Sequence, residues 1–180
     1  MKEILREIHA WRREGEPVVV ATRALCRAAR LLGWRTVVAD PRARFATAER
    51  IPSADELLVA RPDDAFARVA PDPATAVVVL THDDEFDVPA LKGALASEAF
   101  DVGALGSRRN QERRRERPLD AGVDEAEVAC IAGAVPGLYS GAASNEETAV
   151  STLAEALAVR AGRGGGALRD STQQVHVKVA

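Results

Sequence analysis

The sequence is poor in aromatic residues and in cysteine, and it has no hydrophobic run long enough to cross a membrane. Aromatic residues make up 4% of the 180 positions, so alanine, valine and leucine must do most of the packing in a core. No apolar run approaches the roughly 20 residues of a membrane-spanning helix. The charged amino terminus also lacks the apolar stretch of a signal peptide, and these absences together predict a cytoplasmic protein.

The two cysteines, Cys26 and Cys130, lie far apart in segments of helical pattern. This favours buried structural thiols over a metal or redox role. No second histidine or cysteine falls at ligand spacing from His82, so the sequence predicts no metal site. The net charge of −3 gives no general attraction to nucleic acid or to anionic membranes.

Five short apolar segments alternate with helical patterns along the chain. Short apolar runs bounded by turn residues are typical of strands buried on both faces of a parallel sheet. The pattern predicts a Rossmann-like three-layer α/β/α domain with a mostly parallel sheet of about five strands. Numbered along the chain, these strands take the order 3-2-1-4-5. They are residues 18–21, 35–39, 56–60, 76–80 and 101–105.

Helical patterns fill the intervals between the predicted strands. Apolar residues recur at helical spacing in residues 24–32, and residues 62–69 and 89–100 suit short helices. Ser144 and Glu147 form the capping-box pattern that begins the last helix.

Polar turns follow the fourth and fifth predicted strands, as Thr81-His82-Asp83 and as the run Gly103–Arg109. In a doubly wound sheet both turns lie at the carboxyl edge of the strands, where such folds bind ligands. His82 could ligate a metal or transfer a proton there. The alternative is that the triplet only ends a strand, with Asp83 or Asp84 capping the helix that follows.

The second turn is the better candidate for binding an anion. Gly106 can adopt backbone angles closed to other residues, and Ser107 begins a helix whose free N–H groups favour negative charge. Arg108 and Arg109 add forked donors suited to phosphate. The alternative is a plain capped helix with solvated arginines.

Two further patterns favour structural explanations. Asp40 ends the second predicted strand, where an acid could bind a ribose hydroxyl, but no glycine follows the first strand to admit a pyrophosphate. This argues for a turn-forming Asp40 and against NAD(P) binding.

The arginines between residues 108 and 117 are interrupted by Glu112 and Glu116 and have no aromatic neighbours for base stacking. A solvated helix face is therefore favoured over a nucleic-acid site.

The motifs occur in one order: Thr81-His82-Asp83 after a valine strand, the run Gly103–Arg109, and a loop with Gly137 and Gly141 before Glu146. In this order they resemble the XdhC/CoxI family of accessory proteins for molybdenum hydroxylases of the xanthine dehydrogenase type. The resemblance covers residues 24–170 or so. It implies cofactor binding, with no catalytic residue, by Thr81, His82, Asp83, Gly103, Gly106, Ser107, Arg108, Arg109, Gly137 and Gly141.

The sequence departs from this family in two places. Residues 1–23 resemble the opening of a separate amino-terminal domain, but they run directly into the interior of the first Rossmann helix. Most of that domain and the glycine-rich turn are thus missing, and residues 18–21 are expected to supply the first strand. Tyr139, Ser140 and Ala143 also stand where the family usually carries Asp, Ile and Arg. The expected organisation is residues 1–23 as this remnant, residues 24–162 as the Rossmann-like domain and residues 163–180 as a flexible tail.

The resemblance implies an accessory protein that guards the molybdenum cofactor (molybdopterin), aids its sulfuration or insertion, and acts as a chaperone rather than an enzyme. The implied partners are the apo-enzyme of a molybdenum hydroxylase and a cysteine desulfurase, and the implied assembly is a homodimer. A second hypothesis is a degenerate Rossmann scaffold that docks partners without binding a cofactor. A third, an NAD(P)-dependent oxidoreductase, is disfavoured because the sequence has no G-x-G-x-x-G turn.

Overall fold

Four helices, four strands and one 3-10 turn make up the part of the chain that a computed structural model describes, residues 18–81, 83–104 and 141–172. Helices precede β1, β3 and β4, and only turns separate β1 from β2, so the structure has the α/β pattern that the sequence predicts without a helix between its first two strands. The elements are α1 (Val18–Leu31), β1 (Val37–Ala39), β2 (Glu56–Leu58), α2 (Pro62–Val69), β3 (Ala76–Val79), α3 (Asp84–Leu95), β4 (Asp101–Ala104), α4 (Asn145–Arg160) and the 3-10 turn Leu168–Asp170.

The strands form two separate parallel pairs. β1 pairs with β2, with Val38 opposite Leu57, and β3 pairs with β4, with Val78 opposite Gly103. These are the 3-2 and 4-5 neighbours of the predicted order. The described residues form two two-stranded sheets and not one five-stranded sheet, so the full count and order are not confirmed.

The predicted first strand, residues 18–21, is wrong: these residues form the first turn of α1. The three valines have good strand propensity, but valine in a helix costs only a few tenths of a kcal/mol each. No glycine or other turn residue separates Ala21 from the helical pattern that begins at Thr22. The helix therefore extends backwards through the segment, and the place between β1 and β3 is left without a strand among the described residues.

The helix expected at residues 89–100 begins five residues earlier, at Asp84, and Pro89 lies inside it. The start is determined by Asp83, whose carboxylate accepts a hydrogen bond from the Glu85 backbone N–H at 3.1 Å. An acidic cap accepts hydrogen bonds from the free backbone N–H groups at a helix N-terminus. Proline accepts none of them and is only compatible with the first turn. The bounds predicted for α2 are confirmed, and α1 ends as expected before Gly33, which has a φ of 71°.

The core is divided in the same way as the sheet. One cluster of buried side chains, Cys26, Phe45 and Ile51, packs with residues of β1 and β2. The other, Val79, Leu91 and Ala104, joins β3 and β4 to α3. α1 packs along α4, and α2 packs along α3. None of the described helices combines the length and hydropathy needed to cross a bilayer.

The capping box predicted at the start of α4 is present. The Ser144 hydroxyl accepts a hydrogen bond from the Glu147 N–H at 3.1 Å. The Glu147 carboxylate in turn accepts from the N–H groups of Ala143 and Ser144, at 2.6 and 3.0 Å. These two backbone donors hold the pKa of Glu147 below its ordinary value of about 4.5. The Glu147 carboxylate of the same chain therefore already occupies backbone N–H donors at the N-terminus of α4.

Replacing Glu147 by alanine should lower the melting temperature at pH 7 and reduce the loss of stability on acidification. The folded-state pKa is depressed, so ionised Glu147 stabilises the fold above its unfolded pKa, and this contribution disappears as the pH falls through the folded value. Thermal unfolding at pH 7 and at pH 3 would measure both effects. Glu146→Ala is the matched control from the same helical turn, and an equal pH response in the two variants would contradict the assignment.

Candidate functional site

The carboxyl ends of all four strands face the same side of the molecule, because each strand pair is parallel and residues just before β1 and just before β4 meet at one edge, as Trp34 and Phe100 do. The C-terminal end of α4 marks the opposite, amino edge: the Arg160 guanidinium lies 5.0 Å from the ring of Trp34, just before β1. The Trp34 ring also meets Phe100, just before β4, edge-on at 6.5 Å between ring centroids. The N-terminus of α4 consequently lies towards the carboxyl edge, with the candidate turns.

At the end of β1, Asp40 is held by Arg42. The Arg42 backbone N–H and Nε donate to Asp40 Oδ1, and Nη2 donates to Oδ2, each at 2.9 Å. Both carboxylate oxygens are thereby used within the turn. This confirms the turn-forming interpretation of Asp40 and leaves the ribose interpretation without support.

A cluster of arginines and phenylalanines surrounds this turn. The buried Phe45 ring has the guanidinium carbons of Arg42, Arg44 and Arg50 at 4.2, 4.6 and 5.6 Å from its centroid. Arg42 and Arg61 also approach the ring of Phe86 in α3, at 5.8 and 5.5 Å. Such cation–π contacts are worth about 0.5–1 kcal/mol each at exposed sites. We call these six residues the arginine cluster.

The arginine cluster carries more positive than negative charge. Asp40 pairs with Arg42, and Glu85 accepts from both terminal nitrogens of Arg61 at 3.1 Å. Within the described residues the exposed Arg44 guanidinium contacts no carboxylate. The cluster thus presents a cationic surface at the carboxyl edge of β1 and β2.

At the end of β3, the Thr81 hydroxyl accepts a hydrogen bond from the Asp83 N–H at 3.0 Å. The Asp83 side chain caps α3, as one of the two predicted alternatives requires. His82 lies outside the described residues. A cofactor-binding role for this triplet stays a prediction.

The remaining predicted site residues are only partly described. Gly103 is buried inside β4 opposite Val78, so its backbone belongs to the strand ladder and not to the turn. Gly141 has a φ of 70° and lies three residues before the Ser144 cap. Gly106, Ser107, Arg108, Arg109 and Gly137 fall outside the described residues. The structure therefore places Thr81 and Asp83 just after β3 and Gly103 within the neighbouring β4, and the anion site itself stays a prediction.

A cavity of about 650 Å³ lies between β1 and β3. Every residue of these two strands lines it, and no residue of β2 or β4 does. α1 and α4 cover one face, through residues such as Leu25 and Leu153, and α2 and α3 cover the other, through residues such as Phe66 and Ala90. We call this cavity the strand cleft, because it occupies the position of the predicted central strand.

The Cys26 thiol lines the strand cleft but is 4% exposed. Burial raises the pKa of this thiol, which disfavours the reactive thiolate. The prediction of a structural role for Cys26 is confirmed to that extent, and Cys130 lies outside the described residues. Among the residues described, no group of three or more His, Cys, Asp or Glu side chains lies close enough together to hold a metal ion.

Neither the arginine cluster nor the strand cleft was predicted from the sequence. Arg42, Arg44, Phe45 and Arg50 fall within nine positions, and this density of arginine around one aromatic residue is the signal that was available. The cleft had no sequence signal, because it results from a valine segment that forms a helix turn where a strand was expected.

Comparison with known proteins identifies a family. A profile described as the XdhC Rossmann domain matches residues 19–156, which is more than two thirds of the chain. The molybdenum cofactor insertion chaperone PaoD of Escherichia coli is 34% identical over 99 residues. That alignment covers 55% of this chain and 30% of PaoD.

A solved structure described as a xanthine dehydrogenase from Bacillus halodurans has a similar fold. The TM-score is 0.61 at 25% sequence identity, and the match covers 84% of this chain and 42% of that chain. The chain thus spans less than a third of the curated relative and less than half of the solved one.

Proposed function

The chain belongs to the XdhC Rossmann-domain family, and on that premise we propose that it is an accessory protein that binds the molybdenum cofactor and aids its insertion into a hydroxylase apo-enzyme. The observation that carries the proposal is the 99-residue match to a molybdenum cofactor insertion chaperone. Help with sulfuration of the cofactor, with a cysteine desulfurase as a further partner, and assembly as a homodimer belong to the same proposal.

For the phosphate of the cofactor, the described residues favour the segments that follow β3 and β4 over the N-terminus of α4. The N-terminus of α4 is closed by the Glu147 carboxylate, so an anion would meet a like charge there. β3 and β4 end side by side, with Val79 opposite Ala104, so the segments that follow them leave the sheet from neighbouring positions. This supports joint binding by the Thr81 segment and by Gly106–Arg109, where Arg108 and Arg109 would supply the charge.

The proposed binding can be tested by titrating the full chain with molybdenum cofactor under anaerobic conditions and following the pterin fluorescence. We expect a Kd in the micromolar range or tighter. The double change Arg108→Ala and Arg109→Ala should weaken binding at least about tenfold, since charge-assisted hydrogen bonds to a phosphate are lost and 1.4 kcal/mol corresponds to a factor of ten. Arg114→Ala with Arg115→Ala is the matched control from the same basic run, and it should leave the affinity unchanged.

A second candidate function is a partner-docking scaffold that binds no cofactor. The observation that favours it is the path of α1, which runs unbroken from Val18 to Leu31 and so has no glycine turn between the predicted first strand, residues 18–21, and the first helix. Backbone N–H groups at such a turn normally approach a pyrophosphate. A silent titration with cofactor, NAD(H) and NADP(H) would overturn the first proposal and favour this one, and a stable dimer is expected under both.

A further inference from the structure

Among the described residues, the two edges of the strand cleft are strand edges whose backbone groups have no neighbouring strand. Asp40 N–H donates to Leu58 C=O at 3.0 Å, and Glu56 N–H donates to Thr36 C=O at 3.1 Å. Residues 36, 38 and 40 therefore turn their backbone groups towards β2. Because these groups alternate along a strand, Val37 and Ala39 turn theirs towards the cleft. β3 likewise has only β4 as a paired neighbour among the described residues.

Both faces of the cleft are mainly apolar. α1 and α4 contribute Leu25, Ala29 and Leu153 to one face, and α2 and α3 contribute Phe66 and Ala90 to the other. A strand between β1 and β3 would alternate its side chains between these two faces, so it would need a continuous apolar run. β1 has three residues and β3 has four, so such a run needs about four residues.

The exposed Arg44 lies at the carboxyl-edge mouth of the cleft. Arg42 lines the cleft together with Asp40, which pairs with it, and the Arg44 guanidinium lies beside them at 4.6 Å from the centroid of the Phe45 ring, with no ion pair to a carboxylate among the described residues. A strand parallel to β1 would emerge at this mouth. The residues that follow its apolar run would then meet the guanidinium groups, and acidic residues would complement them.

We propose that the strand cleft is an insertion site for an extended segment of a partner protein, apolar over about four residues and acidic immediately afterwards. The segment completes the sheet by pairing with β1 on one side and β3 on the other, a mode of recognition in which backbone hydrogen bonds give affinity and side-chain pockets give specificity. This inference is independent of cofactor binding.

Charge complementarity favours a partner over the chain's own Val18–Ala21 segment. The chain's own Val18–Ala21 segment is a continuous apolar run, but Thr22 and the cationic Arg23 follow it. Placed in the cleft, it would bring a further positive charge to the arginine cluster. The same mismatch applies to that segment of a second copy. In the structure the segment belongs to α1.

Amide hydrogen exchange of the full chain, followed residue by residue by NMR, tests the proposal with the peptide acetyl-Ala-Val-Val-Val-Asp-Glu-amide. In the free protein the Val37 and Ala39 amides should exchange faster than the Val38 amide, which is paired with β2. With peptide at about 100 times its Kd, exchange at Val37 and Ala39 should slow about 100-fold, and exchange at Val38 should not change.

Three controls make the result specific. A peptide with proline in place of the second valine should give no protection, since proline cannot donate to a central strand. A peptide ending in Lys-Lys should bind more weakly. Arg44→Ala should weaken binding of the acidic peptide about two- to five-fold, as for an exposed ion pair, whereas Arg68→Ala on α2 should not.

Any of three results would overturn the proposal. The first is a free protein whose Val37 and Ala39 amides are as protected as Val38. If that protection persists on dilution, a segment of the same chain fills the cleft, and if it is lost on dilution, a second copy does. The others are a peptide that leaves exchange unchanged and a proline peptide that protects equally well.

Discussion

Replacing Phe45 by alanine should lower the free energy of unfolding by about 3–5 kcal/mol, the usual cost of deleting a buried phenylalanine ring. Phe45 is 4% exposed and packs with Cys26 and Ile51 in the core cluster beneath β1 and β2. The same ring faces three guanidinium groups. Its loss therefore opens a cavity and leaves neighbouring positive charges without the ring between them. Urea unfolding at pH 7 measures the change.

Phe45→Leu separates the two contributions to this effect. Leucine retains much of the buried apolar volume but has no π face for the guanidinium groups. We expect a smaller loss, on the order of 1–2 kcal/mol, that decreases as salt screens the arginines from one another. A loss below about 1 kcal/mol for Phe45→Ala would show that the ring is not part of the core.

Replacing Gly93 by alanine should destabilise the protein by about 1–3 kcal/mol, although helix propensity alone predicts a gain of about 1 kcal/mol. Gly93 lies in α3 against the ring of Phe66 in α2. A Cβ atom at Gly93 would lie 2.5, 2.8 and 2.9 Å from three carbons of that ring. A Cβ atom therefore requires the half-buried Phe66 ring to change rotamer or α2 and α3 to separate. Thermal unfolding gives the sign directly.

The matched control is a double-mutant cycle with Phe66→Leu. The smaller side chain should relieve the clash, so Gly93→Ala should cost less, or even stabilise, in the Phe66→Leu background than alone. Equal costs in the two backgrounds, or a stabilising effect of Gly93→Ala by itself, would contradict the close packing of the two helices.

Much of the fold could be predicted because local patterns and long-range pairing agree. The apolar run at residues 76–80 and the one at residues 101–105 read as buried strands, and the structure pairs them in parallel. Pro62 begins α2, and the Ser144–Glu147 capping box begins α4, as their residue types indicate. In each case the signal lies within a few residues of the element that it predicts.

The errors lie where a local signal was ambiguous. Val18–Ala21 is apolar throughout, and a short apolar run does not distinguish a buried strand from one turn of a helix. The segment is helical because the helix formed by the residues that follow it extends back to Val18. At α3 the expected first residue, Pro89, lies inside the helix, because the hydrogen bond between the Asp83 carboxylate and the Glu85 N–H sets an earlier start.

The candidate site was predicted less completely than the fold. The turn at Asp40 and the cap at Asp83 follow from short-range preferences of aspartate, and both are confirmed. The arginine cluster depends on Arg61 and Phe86 meeting Arg42 across two turns, and no pattern along the chain encodes that meeting. The phosphate-binding role of Ser107 and Arg108 stays a prediction.

The division of the sheet has a consequence for how this domain comes apart. In the described residues no backbone hydrogen bond joins β1 to β3, and each strand pair has its own cluster of buried side chains. The halves are connected by helix packing, that of α1 on α4 and of α2 on α3. Loosening of those helices would release one half from the other while both ladders stayed intact. From this division we expect the described residues to open as two cooperative units, separated along the strand cleft.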